Sequence, residues 1–245
     1  KGEGSGVSFD EAQETFTARY THETVALAFA ITEEAIEDNL YDRLASRYTK
    51  ALARSMSNAK QVKSVEPLIN GLPTADAFDS GDGVSLFNTS HPTVAGTFAN
   101  TLATQADLNE TSLEQSLIDI AAMSDERGLR IAARGVKMII PSELQFTAER
   151  LMKSQGRTST ADNDINAIVS MGMIPQGYRV NNYLTDSDAF YILTDVPNGM
   201  KMFNRAPLTT AMEGDFDTGN VRYKARERYS FGVSDPRGIF GVEGA

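Results

Sequence analysis

The segment from Asn220 to Ser234 constrains the fold most, because its side chains separate by parity along an extended chain. Apolar residues share one parity: Val221, Tyr223, Ala225, Tyr229, Phe231 and Val233. Cations share the other: Arg222, Lys224, Arg226 and Arg228. Only Glu227 interrupts the apolar set. The pattern predicts a long strand with one buried face and one face turned toward solvent or toward negative charge.

The net charge of the chain makes this basic row informative. The sequence holds 33 acidic and 23 basic residues, which gives a formal net charge of −10. Four cations on one strand face therefore indicate an acidic partner, either another copy of the chain or a polyanion. The alternative is a solvated outer face of an antiparallel sheet. A pI near 4.8 argues against a dedicated nucleic-acid reader with a broad basic footprint.

Length and composition bound the remaining classes. A chain of 245 residues with 41% hydrophobic residues can bury a core in one large domain or two modest ones. Cysteine is absent from the sequence, which excludes disulfides, thiolate metal sites and cysteine nucleophiles. No apolar run approaches the ~20 residues that a membrane-spanning helix needs, so we expect no membrane partner.

The first third of the chain predicts a strand followed by a long helix. From Tyr20 to Ile31, apolar residues alternate with alanines, which is typical of a strand. From Thr32 to about Lys63, apolar residues recur every four positions, and acids at the start give way to bases. Thr32 is a plausible N-cap for this helix. At 1.5 Å per residue the helix would be about 48 Å long, which suits a structural spine.

The rest of the chain predicts a mixed α+β order. Residues 67–107 are rich in glycine and proline and predict loops with at most one hairpin. Helices are predicted for residues 108–127, 141–152 and 164–171. Ser142 and Gln145 have the spacing of a capping box at the start of the second of these. Strands are predicted for residues 136–140, 178–184, 189–194 and 199–203, before the long C-terminal strand.

Metal and nucleophile motifs are weak. His22 and His91 belong to no spaced set of metal ligands. Ser5 lies between glycines but lacks the preceding strand of a nucleophile elbow. Acids at Asp76, Asp79 and Asp82 could hold calcium, but the bidentate glutamate of an EF-hand is missing. We therefore expect no metal and no cofactor.

The acid pairs give no convincing catalytic centre either. Glu213, Asp215 and Asp217 lie on a glycine-rich turn, where acids usually act as turn formers. A chain with large elements, segregated charge and no reactive set favours a structural protein and not an enzyme. An unrecognised hydrolase that unites Asp215 and Asp217 with a basic residue is the alternative from a different class.

Five strings carry a resemblance to a known family. They are GDGVSLFNTSHP (81–92), VKMIIPSELQFTAERLMKS (136–154), TADNDINAI (160–168), TDVPNGMKMF (194–203) and EGDFDTGNVRYKARERYSFGVSDPRGIFG (213–241). Each is weakly specific alone. In this order, with a long helix ahead of them, the chain resembles the major capsid protein of tailed bacteriophages, with the α+β Hong Kong 97-like shell fold. The resemblance covers nearly the whole chain.

The resemblance implies a division into four parts. Residues 1–31 would form an extended loop that reaches onto a neighbouring subunit, with the arm before Lys1 truncated or missing. Residues 32–107 would form a peripheral domain with the spine helix. Residues 108–205 would form an axial domain around capsomer symmetry axes, and residues 206–245 would return to the peripheral domain.

The resemblance also implies function and partners. The chain would self-assemble as hexamers and pentamers into an icosahedral phage head around double-stranded DNA, in the host bacterial cytoplasm. Portal and scaffold proteins, and in some phages a cement protein, would be its partners, and DNA would be contacted without sequence specificity. An encapsulin-like compartment around protein cargo is the alternative within this fold. An isopeptide link through the extended loop is not expected, since no lysine lies between Lys1 and Lys50.

Two hypotheses address the basic row. The first 42 residues hold ten acids against two bases. In the first hypothesis, this acidic segment of one subunit docks on the cations of the next, and charge complementarity fixes the register of the contact. In the rival hypothesis, the same cations face packaged DNA and offset phosphate charge. Both assign the role to one set of residues: Arg222, Lys224, Arg226 and Arg228.

Overall fold

The computed structural model describes residues 16–38, 41–72, 80–157 and 164–245. Its helices are α1 Glu33–Glu37, α2 Tyr41–Ile69, α3 Glu110–Ala122, α4 Gln145–Lys153 and α5 Ala167–Met171. Its strands are β1 Glu23–Ile31, β2 His91–Thr93, β3 Gly96–Phe98, β4 Gly135–Ile140, β5 Tyr178–Val180, β6 Phe190–Thr194, β7 Met200–Gly214, β8 Val221–Val233 and β9 Ile239–Val242. This order confirms the mixed α+β class.

The outer sheet contains β1, β8 and β7 in that order, all antiparallel. Ala225 in the middle strand pairs with Leu27 on one side and Thr210 on the other. Helix α2 packs across β1 and β8, where Leu52 and Met56 contact Ala225. The apolar parity of β8 is thus the face under the helix, as predicted from the alternation of its side chains.

The inner sheet has the order β5-β4-β6-β9, with β4 and β5 parallel and the other pairs antiparallel. Helices α3, α4 and α5 contribute to a core on one of its faces, with fully buried Ile120 and Met138 at the centre. Gly135 permits this packing, because a Cβ there would lie 2.9 Å from a Leu117 carbon and 3.0 Å from an Ile192 carbon. Helix α3 therefore lies close against the start of β4.

A second core connects the two sheets. Leu68 and Leu72 at the end of α2 pack with Phe87, with Tyr191 of β6 and with Val233 of β8. Strand β6 serves both cores, since Phe190 and Ile192 face the first and Tyr191 faces the second. The spine helix is thereby attached to both sheets.

The long helix differs from its prediction at both ends. Thr32 is the N-cap of α1, with extended φ and ψ of −72° and 157°, but its side chain makes no capping hydrogen bond. Helix α1 ends at Glu37, and residues 39–40 lie outside the described part. Helix α2 continues past Lys63 to Ile69 and includes Pro67. Pro67 has no backbone N–H to donate in the last turn, and the burial of neighbouring Leu68 compensates for the stability lost with that hydrogen bond.

The three other helices also have different bounds from those predicted. Helix α3 ends at Ala122 and not near residue 127, because buried Met123 takes an extended conformation. Its start is capped by Asn109, whose side chain accepts from the Ser112 N–H. Helix α4 begins at Gln145, and the capping box proposed for Ser142 is wrong, since the Ser142 hydroxyl bonds Glu143 instead. Helix α5 begins at Ala167 and not at residue 164, because Asn166 is its N-cap, and Gly172 ends it as predicted.

Three strands were poorly predicted. The strand predicted over residues 178–184 is β5, which ends at Val180. The predicted strand 199–203 is the first part of β7, which has 15 residues. The strand continues through Pro207, because register shifts between Asn204 and Thr209 remove the need for a regular ladder hydrogen bond at the proline. Strand β9 was not predicted, although its four residues are all buried. The hairpin allowed in residues 67–107 is β2 with β3.

Candidate functional site

The candidate site is the face of the outer sheet turned away from α2, named here the basic sheet face. Its central row lies on β8 and consists of Arg222, Lys224, Arg226 and Arg228. All four residues are exposed. Because alternate residues of a strand point to the same side, successive Cα atoms in this row are about 6.7 Å apart. The structure therefore places all four residues of the predicted site on one face.

Small side chains flank the cations on both sides. The residues opposite them on β1 are Ala30, Ala28, Ala26 and Thr24. The residues opposite them on β7 are Glu213, Ala211, Thr209 and Ala206. Because the residues opposite the cations on β1 and β7 are mostly alanine and threonine, these two strands leave room for a partner that lies flat on the face.

Most of the cations have no ionic partner among residues 16–38, 46–72, 80–157 and 164–245. Arg222 pairs with Asp215 at the hairpin tip, and this exposed pair contributes little to stability. The side chains of Lys224, Arg226 and Arg228 form no ion pair within those ranges. Three positive charges are therefore available to a partner.

The buried face of the same strand explains the exception in the apolar row. Glu227 is 4% exposed, and its carboxylate accepts from Lys60 Nζ of α2 at 3.0 Å. The same Lys60 nitrogen lies 5.1 Å from the ring centroid of Tyr229. A pair of this kind fixes the position of the helix on the sheet more than it adds stability. Sequence reasoning missed it, because the only signal was one acid in an apolar row.

The structure describes only part of the acidic segment, the first 42 residues of the chain. Acids before residue 16 lie outside the described residues. Glu23 already pairs with Lys63, and the hydrogen bonds that Lys63 donates to Glu66 and Glu23 raise the pKa of that lysine. Four further acids on or next to α1 are exposed: Glu33, Glu34, Glu37 and Asp38. These exposed acids are the described candidates for contact with a basic surface.

The alternative catalytic centres find little support. Asp215 acts as a turn former, since its N–H donates to Asn220 O and its carboxylate accepts from the Thr218 hydroxyl. Asp82 is hydrogen-bonded to buried His91 at 2.6 Å, while Asp76 and Asp79 are outside the described part. Within the residues that the structure describes, no group of three or more potential metal ligands occurs. Likewise, none of its described helices is both long and apolar enough to cross a membrane.

Comparison with solved structures finds the same fold in viral shells. A structure from Mycobacterium phage Patience matches with a TM-score of 0.60 and 11% identity, covering 98% of this chain and 77% of the other. The capsid of Myoviridae phage XM1 matches with a TM-score of 0.56 and 11% identity, covering 92% and 74%. A virus-like particle from Pyrococcus furiosus matches with a TM-score of 0.50 and 13% identity, covering 90% and 76%. At such low identities the likeness shows the fold alone.

Comparison of sequences identifies the family. No curated protein matches the chain. The family described as phage capsid protein matches residues 14–242, which include both sheets, the spine helix and the basic sheet face. These findings confirm the Hong Kong 97-like shell fold expected from the sequence. A match across nearly the whole sequence means that this chain belongs to the phage capsid protein family and is a structural protein of a capsid shell.

Proposed function

We propose that the chain is the major capsid protein of a tailed phage and assembles as hexamers and pentamers into an icosahedral head around double-stranded DNA. The observation that carries this proposal is the basic sheet face, where three exposed cations form no ion pair with the described residues in a chain of net charge −10. Such a surface is stabilised when an acidic partner covers it. In a shell built from many copies, every subunit has such partners on several sides.

The proposed division of the chain follows the resemblance with one adjustment. Residues 1–31 form the extended loop, 32–107 the peripheral domain, 108–205 the axial domain and 206–245 the return to the peripheral domain. Strand β7 begins at Met200 and pairs with β8 along its length. This pairing favours residue 200 over residue 206 as the start of the return.

For the basic sheet face we propose contact with the acidic segment of a neighbouring subunit. Exposed acids on α1 and the acids of the first 15 residues supply the matching charge. Alanines beside the cations leave room for a flat-lying chain. Contact with packaged DNA is the rival role, because phosphates would offset the same charges without sequence specificity.

Further partners follow from a role in a phage head. Portal and scaffold proteins would join the shell during assembly in the host cytoplasm, and a cement protein could stabilise it afterwards. The encapsulin-like compartment is the second candidate, because the virus-like particle of Pyrococcus furiosus aligns with a similar share of this chain as the capsid of phage XM1, 90% against 92%. The two differ in content, which is nucleic acid in one and protein cargo in the other.

Electron microscopy of the purified chain and of an Arg226→Ala, Arg228→Ala variant tests the proposal. We expect closed shells or rings of five and six subunits from the parent chain, and impaired assembly of the variant because the contact loses two of its charges. An Arg130→Ala, Arg134→Ala variant is the control, since it removes two exposed cations elsewhere. Normal empty shells that fail to retain DNA would favour the DNA-facing role. A parent chain that stays monomeric at high concentration, even with its scaffold, would contradict the shell assignment.

A further inference from the structure

The hairpin between β7 and β8 ends in a tip that displays an aromatic ring among acids. Phe216 at this tip is 101% exposed. Glu213 and Asp217 beside it are also exposed, and neither forms an ion pair with the described residues. Asp215 pairs with Arg222. We name these residues the acidic tip: Glu213, Asp215, Phe216 and Asp217.

Hydrogen bonds hold the acidic tip in one conformation. The Asp215 N–H donates to Asn220 O at 2.8 Å, and the Gly219 N–H donates to Asp215 O at 2.9 Å. The Asp215 carboxylate accepts from the Thr218 hydroxyl at 2.9 Å. Gly219 has a φ of +64°, which glycine adopts at no steric cost. A tip fixed in this way loses little conformational freedom when it binds a partner.

The outer side of α2 carries a surface of opposite charge. Residues 46–65 contain five cations and no acid. Two of the five, Lys60 and Lys63, pair with acids of β8, of β1 and of α2 itself. The other three are exposed and are spaced three and four residues apart, so they share one side of the helix. We name them the helix stripe: Arg47, Lys50 and Arg54.

The helix stripe surrounds a small apolar spot. Its three cations form no ion pair with the described residues. Ala51 is exposed at the centre, four residues after Arg47 and three before Arg54. Tyr48, three residues before Ala51, is 48% exposed. Like charges at these helical spacings repel each other, so an acidic partner with an apolar centre would stabilise the surface.

We propose that the acidic tip of one copy docks on the helix stripe of a second copy, with Phe216 against Ala51. Glu213 and Asp217 then lie among the three cations. No ion pair joins the two surfaces within the described residues of one copy, so another copy supplies the complement of each. Each copy gives its tip and receives another at its helix, so the contact is heterologous and can repeat around a ring. This inference rests on the proposed function, since a shell brings many copies together.

An exchange of charges tests which surfaces meet. The tip variant carries Glu213→Lys and Asp217→Lys, and the helix variant carries Lys50→Glu and Arg54→Glu. Each places like charges at the contact, so we expect the critical concentration for assembly to rise about tenfold or more at low salt, measured by light scattering and electron microscopy. A chain with all four substitutions keeps the net charge of the parent and should assemble like it, because opposite charges meet again. Reversal of Arg130 and Arg134 to glutamate is the control and should leave assembly unchanged.

The outcomes separate this contact from the shell assignment. A parent chain that never assembles contradicts both, whereas normal assembly of the tip and helix variants overturns the contact alone. Impaired variants without recovery in the combined chain also overturn it, because the two surfaces then do not face each other. Helix-variant shells that form normally but fail to retain DNA would assign the helix stripe to DNA instead.

A second variant covers a failure of the tip variant to fold, which urea unfolding would reveal. Phe216→Ser then takes its place and should also raise the critical concentration, since the ring supplies the apolar centre of the contact. An unchanged critical concentration for Phe216→Ser would mean that the tip does not dock through this ring.

Discussion

The two sheets differ in how many of their faces are covered. In the inner sheet, β6 sends Phe190 and Ile192 into one core and Tyr191 into the other, so both faces of this strand are buried there. In the outer sheet, α2 covers one face of β1 and β8, and the opposite face carries exposed cations. The inner sheet therefore stabilises the fold, while the outer sheet leaves one of its faces free for contact with other molecules.

Truncating a residue of the inner sheet should produce the largest effect. Ile192 is fully buried, so Ile192→Ala removes packing on the α3 side and leaves a cavity. We expect a loss of ~2–5 kcal/mol in the free energy of unfolding, measured with urea. Ile165 is 74% exposed, and Ile165→Ala is the matched control, with an expected change below ~0.5 kcal/mol. Equal losses would contradict the assignment of the stabilising core.

The buried ion pair under the outer sheet should give the next largest effect. Lys60→Met leaves the Glu227 carboxylate buried without its cation. Because Lys60 is itself about a third exposed, we expect a loss of roughly 2–3 kcal/mol, less than for a fully buried pair. Adding Glu227→Leu should recover much of it. A double variant as unstable as the single one would mean that the charge pairing does not hold α2 on the sheet.

A smaller effect concerns pH and the turn before β6. Burial, followed by a hydrogen bond with Asp188, raises the pKa of Asp186 from 3.8 to about 6. The folded chain therefore takes up this proton at a higher pH than the unfolded chain. Its stabilising contribution is full below the ordinary pKa and is lost as the pH rises through about 6.

Asp188→Asn measures that contribution. By removing the neighbouring carboxyl group, it should lower the pKa of Asp186 and flatten the dependence of the thermal midpoint on pH between acid and neutral conditions. Asp217→Asn, in the exposed hairpin tip, is the control and should leave the profile unchanged. Identical profiles for parent and Asp188→Asn would show that the two carboxyl groups are not coupled.

The smallest effect is expected at the tip of the β7–β8 hairpin. Phe216 is 101% exposed and contributes no burial within the chain. Phe216→Ser should therefore change the free energy of unfolding by less than ~0.5 kcal/mol. A loss comparable to that of Lys60→Met would mean that the outer sheet depends on its tip. Calorimetry of parent and variant at the same concentration decides.

Features set by local alternation could be predicted from the sequence, and features set by distant partners could not. The two faces of β8 follow from parity alone, so all four basic residues were placed correctly. The partner of Glu227 is Lys60, 167 residues earlier, and nothing local indicates it. The strand predicted over residues 199–203 is shorter than β7, whose register shifts between Asn204 and Thr209 accommodate Pro207. The polar partners of His91 are Asp82 and Asn100, which lie nine residues before and after it, and only the folded loops bring them to the ring.

The parity of β8 has a further consequence for how faithfully the outer sheet forms. A slip of one residue against β1 or β7 would turn the whole strand over. Arg222, Lys224, Arg226 and Arg228 would then be forced under α2, while Tyr223 and Tyr229 would face water. The free-energy cost of burying four charges is far larger than the stabilisation from the hydrogen bonds of a mispaired strand. The alternation thus destabilises wrong registers of β8 during folding. It also disfavours the pairing of β8 with strands of other copies in a shifted register.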